Sequence, residues 1–205
     1  MRQTIDQLRQ SLRGVLARTG DHGLTVRDEA ALRERVIDTL VYQAVLGQDA
    51  GVREACRWLI RGAAGAVGIL PASIYELYLA RGQGRWGGFT VPAINLRGPT
   101  YDEARAVFRA ALGLEAGAFV LEIARSEMGY TQQQPGEYAA AVLAAAIREG
   151  FRGPVFLQGD HFQVGRARFQ QEPQAEREAL HSLIAEAIQA GFFNIDIDAS
   201  TLVDL

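Results

Sequence analysis

From Phe89 onward four short apolar segments, FTVPAINL (89–96), AFVLEIA (118–124), VFLQGD (155–160) and FNIDID (193–198), alternate with helical stretches at 101–114, 136–149 and 174–190. A chain that returns to the same end of a sheet through a helix pairs its strands in parallel, so this order predicts a βαβαβαβ unit. Gly117, Gly153 and Gly191 fall in or near the turns after the helices. An acidic residue lies near the end of each of the last three strands, Glu122, Asp160 and Asp198, at equal intervals of 38 residues, as a repeated βα unit would place them. Two architectures accept the pattern, an open doubly wound sheet and the first part of a closed (β/α)8 barrel. Phe89 to the end is 117 residues, against roughly 250 for a full barrel. That count separates the two poorly; residues 71–205 read as α/β, with four parallel strands, like the N-terminal half of a (β/α)8 TIM barrel.

Residues 1–70 read as an all-α N-terminal extension. Ile5, Leu8, Leu12 and Val15 recur at helical spacing, and the turn Thr19-Gly20-Asp21-His22-Gly23 ends that element. Thr25 followed by Asp28 predicts the cap of a second helix with the stripe Leu32, Val36, Leu40 and Ala44 and a stop at Gly47. A third helix starts near Asp49 and runs through Cys56, Leu59 and Ile60 toward Ile69, where Pro71 breaks it. Ser73 caps a short fourth, IYELYLA.

Composition removes whole classes of chemistry. All 21 basic residues are Arg, so a Schiff-base lysine, a pyridoxal-phosphate anchor and a Walker A loop are excluded, because guanidinium stays protonated and cannot replace the ammonium. Cys56 is the only cysteine, which rules out an intrachain disulfide and a cysteine metal cluster. The net charge of -3 gives no basic excess for nucleic acid or an anionic membrane. No apolar run reaches the roughly 18 residues of a membrane helix. The opening MRQTIDQLRQSLRGV mixes charge with apolar residues, unlike a signal peptide, so a cytoplasmic protein is expected. The string Gly82-Gln83-Gly84-Arg85-Trp86-Gly87 spells G-x-G-x-x-G, but it comes after a helix and leads into a strand, the reverse of a dinucleotide loop, and reads as a plain connection.

Gly159-Asp160-His161 closes the third strand, where barrel chemistry is built. Neutral imidazole suits zinc, and a carboxylate beside it can move a proton near a polarised carbonyl. Adjacent residues of a regular strand face opposite ways, so both serve one pocket only if the strand has begun to turn. Asn95, Arg97, Arg125 and Ser126 fall at or past strand ends, fit either for binding an anion or for structural ion pairs. His181, on a helix without a ligand partner, and His22, in a polar turn, read as solvated.

Three segments in order carry a resemblance. Residues 73–96 resemble the short helix and first strand of the class II, zinc-dependent ketose-bisphosphate aldolases, whose strand reads roughly VPAFN. VFLQGDHF is similar to their Leu-x-x-Asp-His strand, and GFFNIDIDAS (191–200) to their fourth strand. The companion subunits of tagatose-bisphosphate aldolase are similar too, with Gly-Asp-His in the third strand and Asp-Ala-Ser closing the fourth. The resemblance spans about 73–205 and implies a fructose- or tagatose-type bisphosphate substrate cleaved to dihydroxyacetone phosphate and an aldehyde. It implies Asp160 as general acid/base, His161 as a zinc ligand, Asp198 as an auxiliary metal contact, and Asn95 with Ser126 on the substrate. Where the family carries a pocket serine on its second strand, this chain has Ala124, with Ser126 two positions on. The family's other zinc histidines and phosphate loops belong to later strands. A second chain or a second copy is expected to supply them, and the chain to self-associate. The alternative expectation is a non-catalytic stabilising partner, or a truncated remnant, of an aldolase.

Overall fold

The computed structural model describes residues 5–20 and 23–203. They fold as two compact units whose segments interleave along the chain: residues 1–70, 99–116 and 140–154 in the first, and 71–98, 117–139 and 155–205 in the second. In chain order the elements are α1 (Ile5–Leu12), β1 (Leu16–Thr19), β2 (Gly23–Val26), α2 (Glu29–Ala31), a π-helical turn (Leu32–Val36), α3 (Ile37–Leu46), α4 (Ala50–Ala66), β3 (Ile69–Pro71), α5 (Tyr75–Gly82) and β4 (Ala93–Asn95). Next come α6 (Thr100–Gly113), β5 (Val120–Ala124), α7 (Arg125–Thr131), α8 (Pro135–Glu149), β6 (Gly153–Asp160), α9 (Arg166–Gln171), α10 (Pro173–Ala190), β7 (Asn194–Ile195) and a 3-10 turn (Ser200–Leu202).

The first unit is not all helical. Its opening helix stops at Leu12, and the chain then forms an antiparallel hairpin in which Leu16 faces Val26 and Thr19 faces Gly23. The two threonines bridge the hairpin, Thr19 Oγ1 to Thr25 Oγ1, at 2.8 Å. Thr25 is thus a strand residue, and the helix cap falls to Asp28, whose carboxylate accepts from the Ala31 amide at 2.8 Å. Asp49 caps α4 in the same way, on the Val52 amide at 2.9 Å. The stripe Leu32, Val36, Leu40 and Ala44 is buried with Ile37, and α4 contributes Cys56, Ile60, Ala63 and Ala64. Gly62 lets the hairpin close on α4, since a β-carbon there would lie 2.6 Å from the Leu24 side chain. Arg105 and Arg109 converge on Glu149, and Phe108 stacks on Phe151 at 5.0 Å.

The sheet has five strands. β4, β5, β6 and β7 are parallel and adjacent in chain order, and β3 also pairs with β6. No closed barrel is present among the described residues. Leu121, Ile123 and Leu157 are fully buried on one face. The alternate residues Asn95, Glu122, Gln158 and Asn194 form one row across the other, because each pairs with the next in register. The register corrects the interval of 38: Ala124 pairs with Asp160 and Gln158 with Asn194, 36 residues apart in both cases. Asp196, two places beyond Asn194, therefore corresponds to Asp160, and Asp198 does not. Among the described residues no helix is long and apolar enough to cross a membrane.

Candidate functional site

The site is built at the carboxyl end of the polar row, within the second unit. β6 ends at Asp160, and His161 takes φ +92°, a left-handed conformation that few side chains other than Gly adopt. This is the turn that lets two adjacent residues serve one place. Phe162 anchors it. That side chain is fully buried, its ring so close to Gly159 that a β-carbon there would lie 2.6 Å away. The Phe162 amide donates to the Asp196 carbonyl at 2.8 Å, and the Asp196 amide to the Gly159 carbonyl at 2.8 Å. The pairing of β6 with β7 thus continues past the strands and carries Asp196 alongside the turn.

Asp160, His161 and Asp196 each offer one ligand atom, and these atoms all lie within 4.8 Å of one another. His161 Nε2 is 3.6 Å from Asp196 Oδ2, and Nδ1 is 3.7 Å from Asp198 Oδ2. One imidazole with carboxylates is a donor set that divalent ions such as zinc accept, and the mutual distances suit a single ion. Asp198 is occupied otherwise: it accepts from the Ser200 amide at 2.8 Å and from Gln163 Nε2 at 2.6 Å. Ser200, then Gln163, holds its carboxyl down to about 2.

Asn95 and Glu127 brace Asp160. The Asn95 amide donates to Glu127 Oε2 at 3.0 Å and to Asp160 Oδ2 at 3.4 Å. Glu127, in the first turn of α7, reaches back to the Ala124 amide at 2.8 Å; this is half of a capping box, as Ala124 has no side-chain acceptor to complete it. Arg97 pairs with the same carboxylate. Burial pushes Glu127 up, but the Ala124 amide, Arg97 and Asn95 outweigh it and hold the group below the ordinary glutamate range. Glu122 shows the opposite balance: burial, then the neighbouring Asp160 charge, raise it despite a 2.8 Å bond from Gln158.

A cavity of about 490 Å³ opens here, lined by Ser126, Glu127, Asp160, His161 and, further, by Arg125, Arg168 and Glu176. Asn95, Ser126, Asp160 and His161 are therefore brought to one place, and Asp198 flanks it. His181 is exposed on α10, and His22 lies outside the described residues. The glycine string is an exposed connection between α5 and β4. Cys56 belongs to the first unit, and burial pushes its thiol up to about 11, leaving it protonated at neutral pH. Sequence reasoning passed over Asp196, Glu127, Glu176 and Arg168. Asp196 had a signal, since alternation in NIDID puts residues 196 and 198 on one face; the helical Glu176 had none.

Comparison with protein-family models, with curated proteins and with solved structures finds no match to this chain.

Proposed function

We propose that the second unit is the N-terminal half of a (β/α)8 barrel carrying a zinc-dependent aldol site for a ketose bisphosphate of fructose or tagatose type. The observation that carries this reading is the convergence of Asp160, His161 and Asp196 at the carboxyl ends of consecutive parallel strands, beside a cavity of small-molecule size. His161 and Asp196 would hold the ion together with at least one further ligand, since a catalytic zinc site normally has three protein ligands. Zinc supplies Lewis-acid charge for the oxygen that becomes negative as the carbon–carbon bond breaks. Asp160, fixed by Asn95, takes the proton from the hydroxyl β to the ketone; that carbon becomes the aldehyde, and the electron pair of the broken bond passes to the ketone fragment. Asn95 and Ser126 border the substrate. The chain has no lysine to form an iminium by the other aldol route.

A second reading, a non-catalytic partner of an aldolase, is favoured by the openness of the cluster, in which the His161 side chain is 56% exposed. Zinc titration by calorimetry, with retro-aldol assays on fructose and tagatose 1,6-bisphosphates, separates the two. The aldol reading expects near-stoichiometric zinc, lost in His161→Ala and kept in Asp160→Ala, with turnover lost in both. Zinc-free protein without turnover supports the partner.

A further inference from the structure

We propose that Arg125 and Arg168, locked by the buried Glu176, form a phosphate-binding subsite in the cavity beside Asp160 and His161. This rests on the reading of that cavity as a sugar-phosphate site, and it says which side chains meet a phosphate. Glu176 is 1% exposed, a costly position for a carboxylate unless its oxygens are filled. They are filled from the cavity wall. Arg125 donates through both terminal nitrogens, at 2.5 and 3.3 Å, the Gly165 amide donates at 2.9 Å, and Arg168 Nε lies at 3.4 Å. Arg125 is the main reason the Glu176 carboxyl stays below its ordinary range.

Two guanidiniums against one carboxylate leave the group Arg125, Glu176 and Arg168 with one net positive charge. The other contact of Arg125 is to a neutral carbonyl, that of Gln163 at 2.7 Å. Of the remaining carboxylates lining the cavity, Glu127 is paired with Arg97, and Asp160 is met by the neutral Asn95 amide. Arg168 is 54% exposed and meets Glu176 through Nε. Among the described residues no hydrogen bond from its two terminal nitrogens is present, and Arg168 lines the cavity, so a planar pair of donors is left for a ligand. A tetrahedral phosphate dianion accepts such a fork, with the Ser126 hydroxyl on the same wall. Glu176 acts as a positioning residue, holding Arg125 in one geometry before any ligand arrives.

The test is calorimetric and 31P titration of the metal-free chain with inorganic phosphate, then dihydroxyacetone phosphate, with acetate as the planar control. Saturable phosphate binding is expected, tenfold or more weaker in Arg168→Ala, partly restored in Arg168→Lys, and unchanged in His181→Ala, an exposed position outside the cavity. Arg168 is exposed enough that its removal should leave the thermal midpoint in place. Affinity in Arg168→Ala within twofold of the unaltered chain, equal binding of acetate, or no saturation at all would overturn the subsite. Phosphate binding that survives while zinc binding and turnover fail would sustain the subsite and remove the aldol reading.

Discussion

The first unit closes on Leu32, Ile37, Leu40, Ile60 and the alanines of α4, and the polar side chains it buries are neutral, Gln43 and Thr100. The second unit buries Glu122, Glu127 and Glu176, and among the described residues these are all the buried carboxylates. Burying an apolar side chain needs only space of the right shape, whereas burying a carboxylate needs donors aimed at both oxygens. The difference teaches where the chain has spent its sequence: stability in one unit, fixed charge in the other.

That contrast can be broken by substitution, and the largest effects should come from plain packing in both units. Phe162→Ala should cost about 3–5 kcal/mol and Leu40→Ala about 2–5 kcal/mol, read as urea midpoints. If the second unit is held by its polar network alone, Phe162→Ala will cost far less than this. Next comes Glu176→Gln, expected to lose about 1.5–3 kcal/mol at pH 7, the range for a hydrogen bond to a charged group. Because the carboxyl of Glu176 is held below its ordinary value, its stabilisation is fully present above about pH 4.3 and is lost as pH falls from there through its own depressed value. The variant should therefore show a shallower acid limb, and an unchanged limb would remove Glu176 from the account.

Gly159→Ala should cost about 1–3 kcal/mol, since the new methyl meets the Phe162 ring and the turn must shift. Zinc affinity should fall with it, as the turn aims His161. The smallest effect carries the opposite sign. Burial raises Glu122, so its ionised form is a penalty above its folded value, relieved as pH falls toward the unfolded one. Glu122→Gln should keep the Gln158 contact and gain up to about 1 kcal/mol at pH 7. A loss would mean that the charge itself holds the polar row together.

Helices were the most legible part of this sequence. The stretches 101–114, 136–149 and 174–190 correspond to Thr100–Gly113, Pro135–Glu149 and Pro173–Ala190, because a proline at or just before the first helical position and a glycine near the end mark both boundaries. Strand lengths were less legible. The segment 89–96 shrinks to Ala93–Asn95 after Pro92, which has no amide hydrogen to give to a ladder, and 193–198 shrinks to Asn194–Ile195. The hairpin at 16–26 was hidden because each of its strands has only four residues, too few for an alternation to show, and the helical recurrence of Ile5, Leu8, Leu12 and Val15 leads straight into it. Within the site, Asp160 and His161 stood out by their place at a strand end. Glu127 and Glu176 did not, as a helical glutamate becomes a buried one only through the arginines that reach it in three dimensions.

His161 sits where the backbone favours glycine. Randomising position 161 and selecting for folding alone should therefore enrich glycine and asparagine, while selecting for the site's chemistry should retain histidine. The gap between the two enrichments would measure how far this stretch of chain has been bent from its own preference to aim one ring.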